Sequence, residues 1–120
     1  MSYNDFFLLP LPKGNEAEYT RQIETFVAVM KDFGLEYYCE SIADEVPRGE
    51  ATDFYRAVCA KGNETIVAGF ARWPDKATRD KAWSEGMNDP RLAEMDSHKR
   101  IFDGKRMIYG AFQPIFEYSE

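Results

Sequence analysis

The chain has one histidine, His98, set in a polar stretch with Asp96, Lys99, Arg100, Asp103, Lys105 and Arg106 close by. An imidazole with an ordinary pKa of about 6.5 changes charge around neutrality, so His98 is a candidate general acid or base. Tyr109, a short way on, is a candidate hydrogen-bond donor to a ligand oxygen. Trp83, with Trp73, offers a flat wall to a planar ligand, and Arg106 and Asp103 offer charge of either sign to its polar groups. These residue types suit a small oxygenated molecule that needs orientation and one proton acceptor. Each also has a plainer role. His98 can be a solvated surface imidazole, Asp96 and Asp103 can cap turns and pair with nearby cations, the tryptophans can pack the core, and Tyr109 can be a core tyrosine whose hydroxyl reaches the surface.

The motifs of several other chemistries are missing. There is no GxSxG, no GxxxxGK and no GxGxxG, so neither a serine-hydrolase elbow nor a nucleotide cradle is indicated. A single histidine argues against a His-built metal centre, and its polar setting argues against haem ligation. No cofactor and no metal are expected. The net charge of -6 and pI of about 4.9 argue against nucleic acid and anionic membrane as partners, while neutral or cationic small ligands remain open. Cys39 and Cys59 form no CxxC and read as reduced, mostly buried thiols of a cytoplasmic protein. The apolar FFLLPLP near the N-terminus is short and has Asp5 ahead of it where a leader would carry cations, so it reads as a strand.

The elements that must position these side chains follow from pattern. A first strand is expected over Tyr3–Leu9, ended by Pro10 and Pro12, and apolar on both faces. A helix follows from Asn15, its expected cap, to Phe33, with Tyr19, Ile23, Phe26, Val27, Met30 and Phe33 in one stripe and Gly34 as the stop. Leu35–Ala43 reads as an edge strand, and 44–52 as a loop. Asp53–Cys59 fits a helical turn leading to the start of a strand. Thr65–Trp73 is a third strand, in which Gly69 implies close approach by a backbone or a large side chain. Asp75 can cap a second helix to about Gly86, with Arg79, Trp83 and Met87 inward, and Asp89 a short one beginning at Pro90. A loop at 97–102 carries His98. After the Asp103-Gly104 turn, Arg106–Phe112 is the last strand, with Met107, Tyr109 and Ala111 on one face and Ile108, Gly110 and Phe112 on the other.

The order strand, helix, strand, strand, helix, strand is that of a ferredoxin-like α+β fold, βαββαβ, with both helices on one face of an antiparallel sheet. One domain is expected over residues 1–120. Two helices cover one side of four strands, and three strands are apolar on both sides. The uncovered side is therefore expected to meet a second copy, making a homodimer.

The chain also resembles a known family. NDPRLAEMD at Asn88–Asp96 and FDGKRMIYGAF at Phe102–Phe112 are similar to a bacterial domain-of-unknown-function family of the dimeric α/β-barrel superfamily, and PLPK at Pro10–Lys13 and DFYRAV at Asp53–Val58 fit the same resemblance. The resemblance implies two ferredoxin-like sheets joined into a barrel, with a ligand cavity between sheet and helices in each subunit. It implies a range of functions: cofactor-free monooxygenases acting on polycyclic phenols, haem-handling proteins, and small-molecule dehydratases or isomerases. A cofactor-independent, monooxygenase-like enzyme is thus one expectation, and a non-catalytic small-molecule binder or structural dimer the other.

Charge generates the first prediction. With 21 acidic against 15 basic residues, only Lys99, Arg100, Lys105 and Arg106 could focus a phosphate. No RNA binding is expected at physiological salt; micromolar retention of RNA on a filter, weakening with added salt, would refute this.

Overall fold

The computed structural model describes residues 2–96 and 101–120, and His98 lies outside them. Its strands are β1 (Tyr3–Pro12), β2 (Tyr37–Ile42), β3 (Glu64–Trp73) and β4 (Ile108–Phe112). They form one antiparallel sheet in the order β2-β3-β1-β4. The helices are α1 (Glu16–Met30), α2 (Phe54–Ala57), α3 (Lys76–Lys81) and α4 (Pro90–Asp96). This is the expected ferredoxin-like α+β architecture, with β1 and β3 central and β2 at an edge.

Several boundaries differ from expectation for local reasons. β1 does not stop at Leu9 but runs to Pro12. Its last residue paired with β4 is Leu8, opposite Ile108, so Pro10 and Pro12 lie where only β3 flanks the strand. A missing N–H is tolerated there, as on any edge. Asn15 precedes α1 without capping it through its side chain; its Nδ2 donates instead to the Ile101 carbonyl at 2.8 Å, tying the helix start to the approach to β4. The far end is as the sequence implies: a 3-10 turn over Lys31–Phe33, then Gly34 at φ 102°. Asp53 and Asp75 cap α2 and α3 by accepting from the N–H groups of Arg56 and Thr78. α3 then widens into a π-helical turn over Ala82–Gly86. That turn departs from the 3.6-residue period, so Met87 is exposed instead of lying inward, while Ala82 and Gly86 are the buried positions. β4 starts at Ile108, two residues late, because Gly104–Arg106 form a 3-10 turn capped by Asp103.

The core lies between the helices and one sheet face. One cluster joins Leu9, Leu11, Tyr19, Val67 and Ile101; the other joins Val29, Met30, Trp73, Ala82 and Leu92. Gly69 has the close neighbour its position implied. A Cβ there would sit 2.0 Å from the ring of Phe7, so the ring occupies the space a side chain would need.

Between those clusters lies Asp5, on the helix-facing side of central strand β1 and only 5% exposed. Its Oδ2 accepts from the indole N–H of Trp73 at 2.9 Å and of Trp83 at 3.1 Å, and its Oδ1 from Arg79 Nη2 at 2.9 Å. A buried carboxylate is costly unless its lone pairs and charge are met, and here both are. The same oxygens fix the end of β3, the start of the second helical segment and the ring that packs on Phe26. Asp5→Ala leaves a guanidinium and two indole donors without their acceptor. It should cost about 3–5 kcal/mol in urea denaturation followed by tryptophan fluorescence. A loss under about 1 kcal/mol would show that water replaces the carboxylate.

Candidate functional site

β2 is an edge strand whose side chains alternate cleanly. Tyr38, Glu40 and Ile42 stand opposite Ala71, Gly69 and Val67 on the helix side; Tyr37, Cys39 and Ser41 take the other. α1 crosses that side and brings Tyr19 and Ile23 over the strand. The result is a cleft of about 240 Å³ whose lining includes Leu11, Tyr19, Thr20, Ile23, Glu40, Ile42 and Val67. Leu11, Ile23, Ile42 and Val67 supply its apolar surface, Glu16, Thr20 and Ser41 polar surface, and Glu40 is bonded by tyrosine hydroxyls.

The hydroxyls of Tyr19 and Tyr38 each donate to a different oxygen of the Glu40 carboxylate. Burial pushes the Glu40 carboxyl above its usual range, and the two hydrogen bonds pull it part of the way back. Both tyrosines are raised as well, first by burial and then by the negative charge of Glu40, so they remain donors. An ionised Glu40 is therefore a stronger base than a solvated carboxylate, held by two groups that keep their protons. Behind it, aromatic rings step inward: Tyr38 is 5.7 Å from Phe26, which is 5.7 Å from Trp83, the ring bonded to Asp5.

Of the described candidates, Tyr109, Trp83, Arg106 and Asp103, none lines this cleft, and His98 lies outside the described residues. Trp83 is half-buried and donates to Asp5. Arg106 forms a two-pronged pair with the buried Glu64 at 2.7 and 2.6 Å, donates to the Cys59 carbonyl, and bonds Asp103 at 3.0 Å. Asp103 also caps its turn through the Lys105 N–H. Arg106 and Asp103 are thus brought together, as partners of each other. Tyr109 stands 77% exposed on β4. Cys39 is partly buried and Cys59, expected to be buried, is exposed; both are free thiols. Among the described residues no group of His, Cys, Asp and Glu is arranged to hold a metal, and no helix is long and apolar enough to cross a membrane.

Glu40 and Tyr19 were readable only in part. Glu40 shares its strand face with Tyr38 and Ile42, an acid among apolar positions, which is the signal a parity reading offers. Tyr19 opens the apolar stripe of α1 and is indistinguishable from core until β2 is placed beneath it. Asp5, a carboxylate directly before FFLL, carried the same kind of signal.

Fold and cleft together define a ferredoxin-like α+β protein with a buried carboxylate–tyrosine centre between sheet and helix. Residues 2–104 match the family described as protein of unknown function (DUF1428), and the chain belongs to that family. It is 38% identical over 117 residues to the uncharacterised protein YbaA of Escherichia coli K12, covering 98% of this chain and 99% of that one. Among solved structures it is similar to SnoaB, a cofactor-independent oxygenase from Streptomyces nogalater. The TM-score is 0.61 at 12% identity, covering 99% and 98% of the two chains. A dimeric ferredoxin-like protein of unknown function from Jannaschia sp. matches with a TM-score of 0.58 at 11% identity, covering 95% of this chain and 100% of that one. At such identities these structures bear on the fold alone.

Glu40 also sets a pH dependence. Because its folded pKa lies above the ordinary 4.5, its contribution to stability is complete below that value and is lost as pH rises through the folded pKa. Glu40→Gln removes the titration. The Tm of the variant relative to the parent should therefore climb between about pH 4 and pH 8. A difference in Tm that is flat across that range would mean that Glu40 ionises as freely in the fold as out of it.

Proposed function

We propose that this chain is a homodimeric small-molecule protein whose cleft takes a mainly apolar, single-ring ligand bearing an acidic hydroxyl, with Glu40 as the proton acceptor. The observation that carries this reading is the convergence of the Tyr19 and Tyr38 hydroxyls on Glu40, at a cleft it shares with Leu11, Ile23, Ile42 and Val67 and with the polar Glu16, Thr20 and Ser41. At about 240 Å³, the space falls below the roughly 300–1,000 Å³ of sites for drug-sized ligands. That suits one ring better than several. The ligand O–H gives its proton to a Glu40 oxygen; once that oxygen is protonated, the tyrosine hydroxyls can turn their hydrogen bonds to the new oxyanion. Where the ring carries a second hydroxyl, as in a hydroquinone or catechol, the oxyanion can pass an electron to dioxygen, leaving a semiquinone and superoxide, which is where the cofactor-independent oxygenase named for SnoaB enters as a reaction class. This reading gives the proton acceptor's role to Glu40 in place of His98.

The dimer is supported by the sheet's open face. Tyr37, Phe70, Phe6 and Phe112, one ring from each strand, run across it with centroids 6.0, 5.0 and 5.3 Å apart. Tyr37, Phe6 and Phe112 are 42–54% exposed, a contiguous apolar band of the kind that marks a contact surface. Two free thiols suit a reducing compartment such as the cytoplasm.

The test is a titration of isotope-labelled protein with monocyclic phenols, followed by amide shifts. Saturable shifts at Ile23, Glu40, Ile42 and Val67 are expected, with affinity at least about tenfold weaker in Glu40→Gln, about 1.4 kcal/mol. Oxygen uptake that depends on both ligand and Glu40 identifies an enzyme, whereas saturable binding without uptake identifies the non-catalytic binder. No saturable binding at millimolar ligand, or shifts confined to another surface, would refute the site.

A further inference from the structure

The chain after β4 has no place in its own fold. Gln113–Glu120 follows the last strand as irregular chain, and Ile115, Phe116 and Tyr118 within it are 101%, 83% and 82% exposed. Two features stop it from pairing at home. Pro114 has no N–H to extend the ladder. β4 also runs out of neighbour, since its last partner on β1 is Asn4, opposite Phe112, and only Tyr3 of that strand remains beyond. Three large apolar side chains are thus delivered by the backbone to the rim of the sheet and left in water, where burial against a partner would be favourable.

We propose that the segment Pro114–Tyr118 of one copy lies across the open sheet face of a second copy, so that each subunit straps its partner. This rests on the dimer put forward above and adds a named element to it. The tail leaves β4 beside Phe112, which is the last ring of the aromatic band, so its exit is continuous with the face that a second copy would cover. Reach is sufficient: eight residues of extended chain span roughly 26 Å, against roughly 14 Å between the outer strands of a four-stranded sheet. Charge also favours a second copy. Each chain carries -6, but the open face holds only Arg72 and Glu64 as charged side chains, and Glu64 is already paired with Arg106. Arg72 is held loosely by Glu36, at 3.7 Å, and is a counter-charge for the tail's Glu117 or Glu120.

The test compares the full chain with a chain ending at Gln113 and with the double variant Ile115→Ser/Phe116→Ser, by sedimentation across a concentration series. Both alterations should weaken the dimer at least about tenfold. Circular dichroism and urea unfolding of the monomer should be unchanged, because the segment packs on nothing in its own chain. Hydrogen exchange gives the second readout. Amides of Ile115–Tyr118 should be protected where the full chain is dimeric and unprotected on dilution to monomer, and Phe70→Glu should abolish that protection. A full chain that is monomeric at micromolar concentration would overturn the dimer and the strap together. A dimer indifferent to truncation, or tail protection that survives in the monomer, would overturn the strap alone.

Discussion

The structure depends on one buried carboxylate. Asp5 sits on a central strand with helices packed above it, where an unpartnered charge would be prohibitive. Its two oxygens draw in donors from β3, from α3 and from the π-helical turn that follows: Trp73, Arg79 and Trp83. Each donor is an amphipathic side chain that brings apolar surface along with its polar atom. Satisfying Asp5 therefore also seats Trp73, fully buried, among Val29, Met30, Ala82 and Leu92. The departure from α-helical period after Lys81 belongs to the same constraint, because it is within that wider turn that the Trp83 indole meets the carboxylate.

Glu40 repeats the device at the edge of the sheet with a different result. Asp5 is met by a cation and two indoles in a closed core. Glu40 is met only by two hydroxyls, beside a cleft that reaches solvent. A neutral donor leaves the carboxyl's charge uncompensated, so burial raises the Glu40 pKa and the group keeps a capacity to take up a proton. Both carboxylates stand on the helix-facing side of the sheet. The aromatic steps Tyr38, Phe26 and Trp83 run between them, so the scaffold that holds one packs against the other. Among the strand residues, the opposite face carries only Arg72 and Glu64 as charged side chains.

Much of this was legible as pattern. Period-2 and period-3.6 spacing placed every strand and the long helix. Asp75 and Asp89 marked helix starts, Gly34 a stop, and Gly69 a close approach that proved to be the Phe7 ring, whereas the strand expected to begin near Cys59 starts at Glu64. The errors fell where local chemistry has two outlets. Asn15 is a good cap by type, but its amide is used by a carbonyl 86 residues away. Met87 sits correctly for an unbroken helix, and the helix is not unbroken. Arg106 and Trp83 find partners remote in sequence, Glu64 and Asp5, while Asp103 pairs locally with Arg106 and the Lys105 N–H.

The sequence by itself determined the ferredoxin-like order of elements and the sidedness of each strand, because both are consequences of spacing along one chain. It also determined the excess of apolar surface over what two helices can cover, since that follows from strand parity and element count. Only the tertiary structure decided which polar side chains are consumed and which stay available. Glu40 became a centre when α1 laid Tyr19 over β2, and Asp5 became an anchor when β3 and the second helical segment closed on it. Burial and partnership are properties of pairs distant in sequence, and no local pattern encodes them.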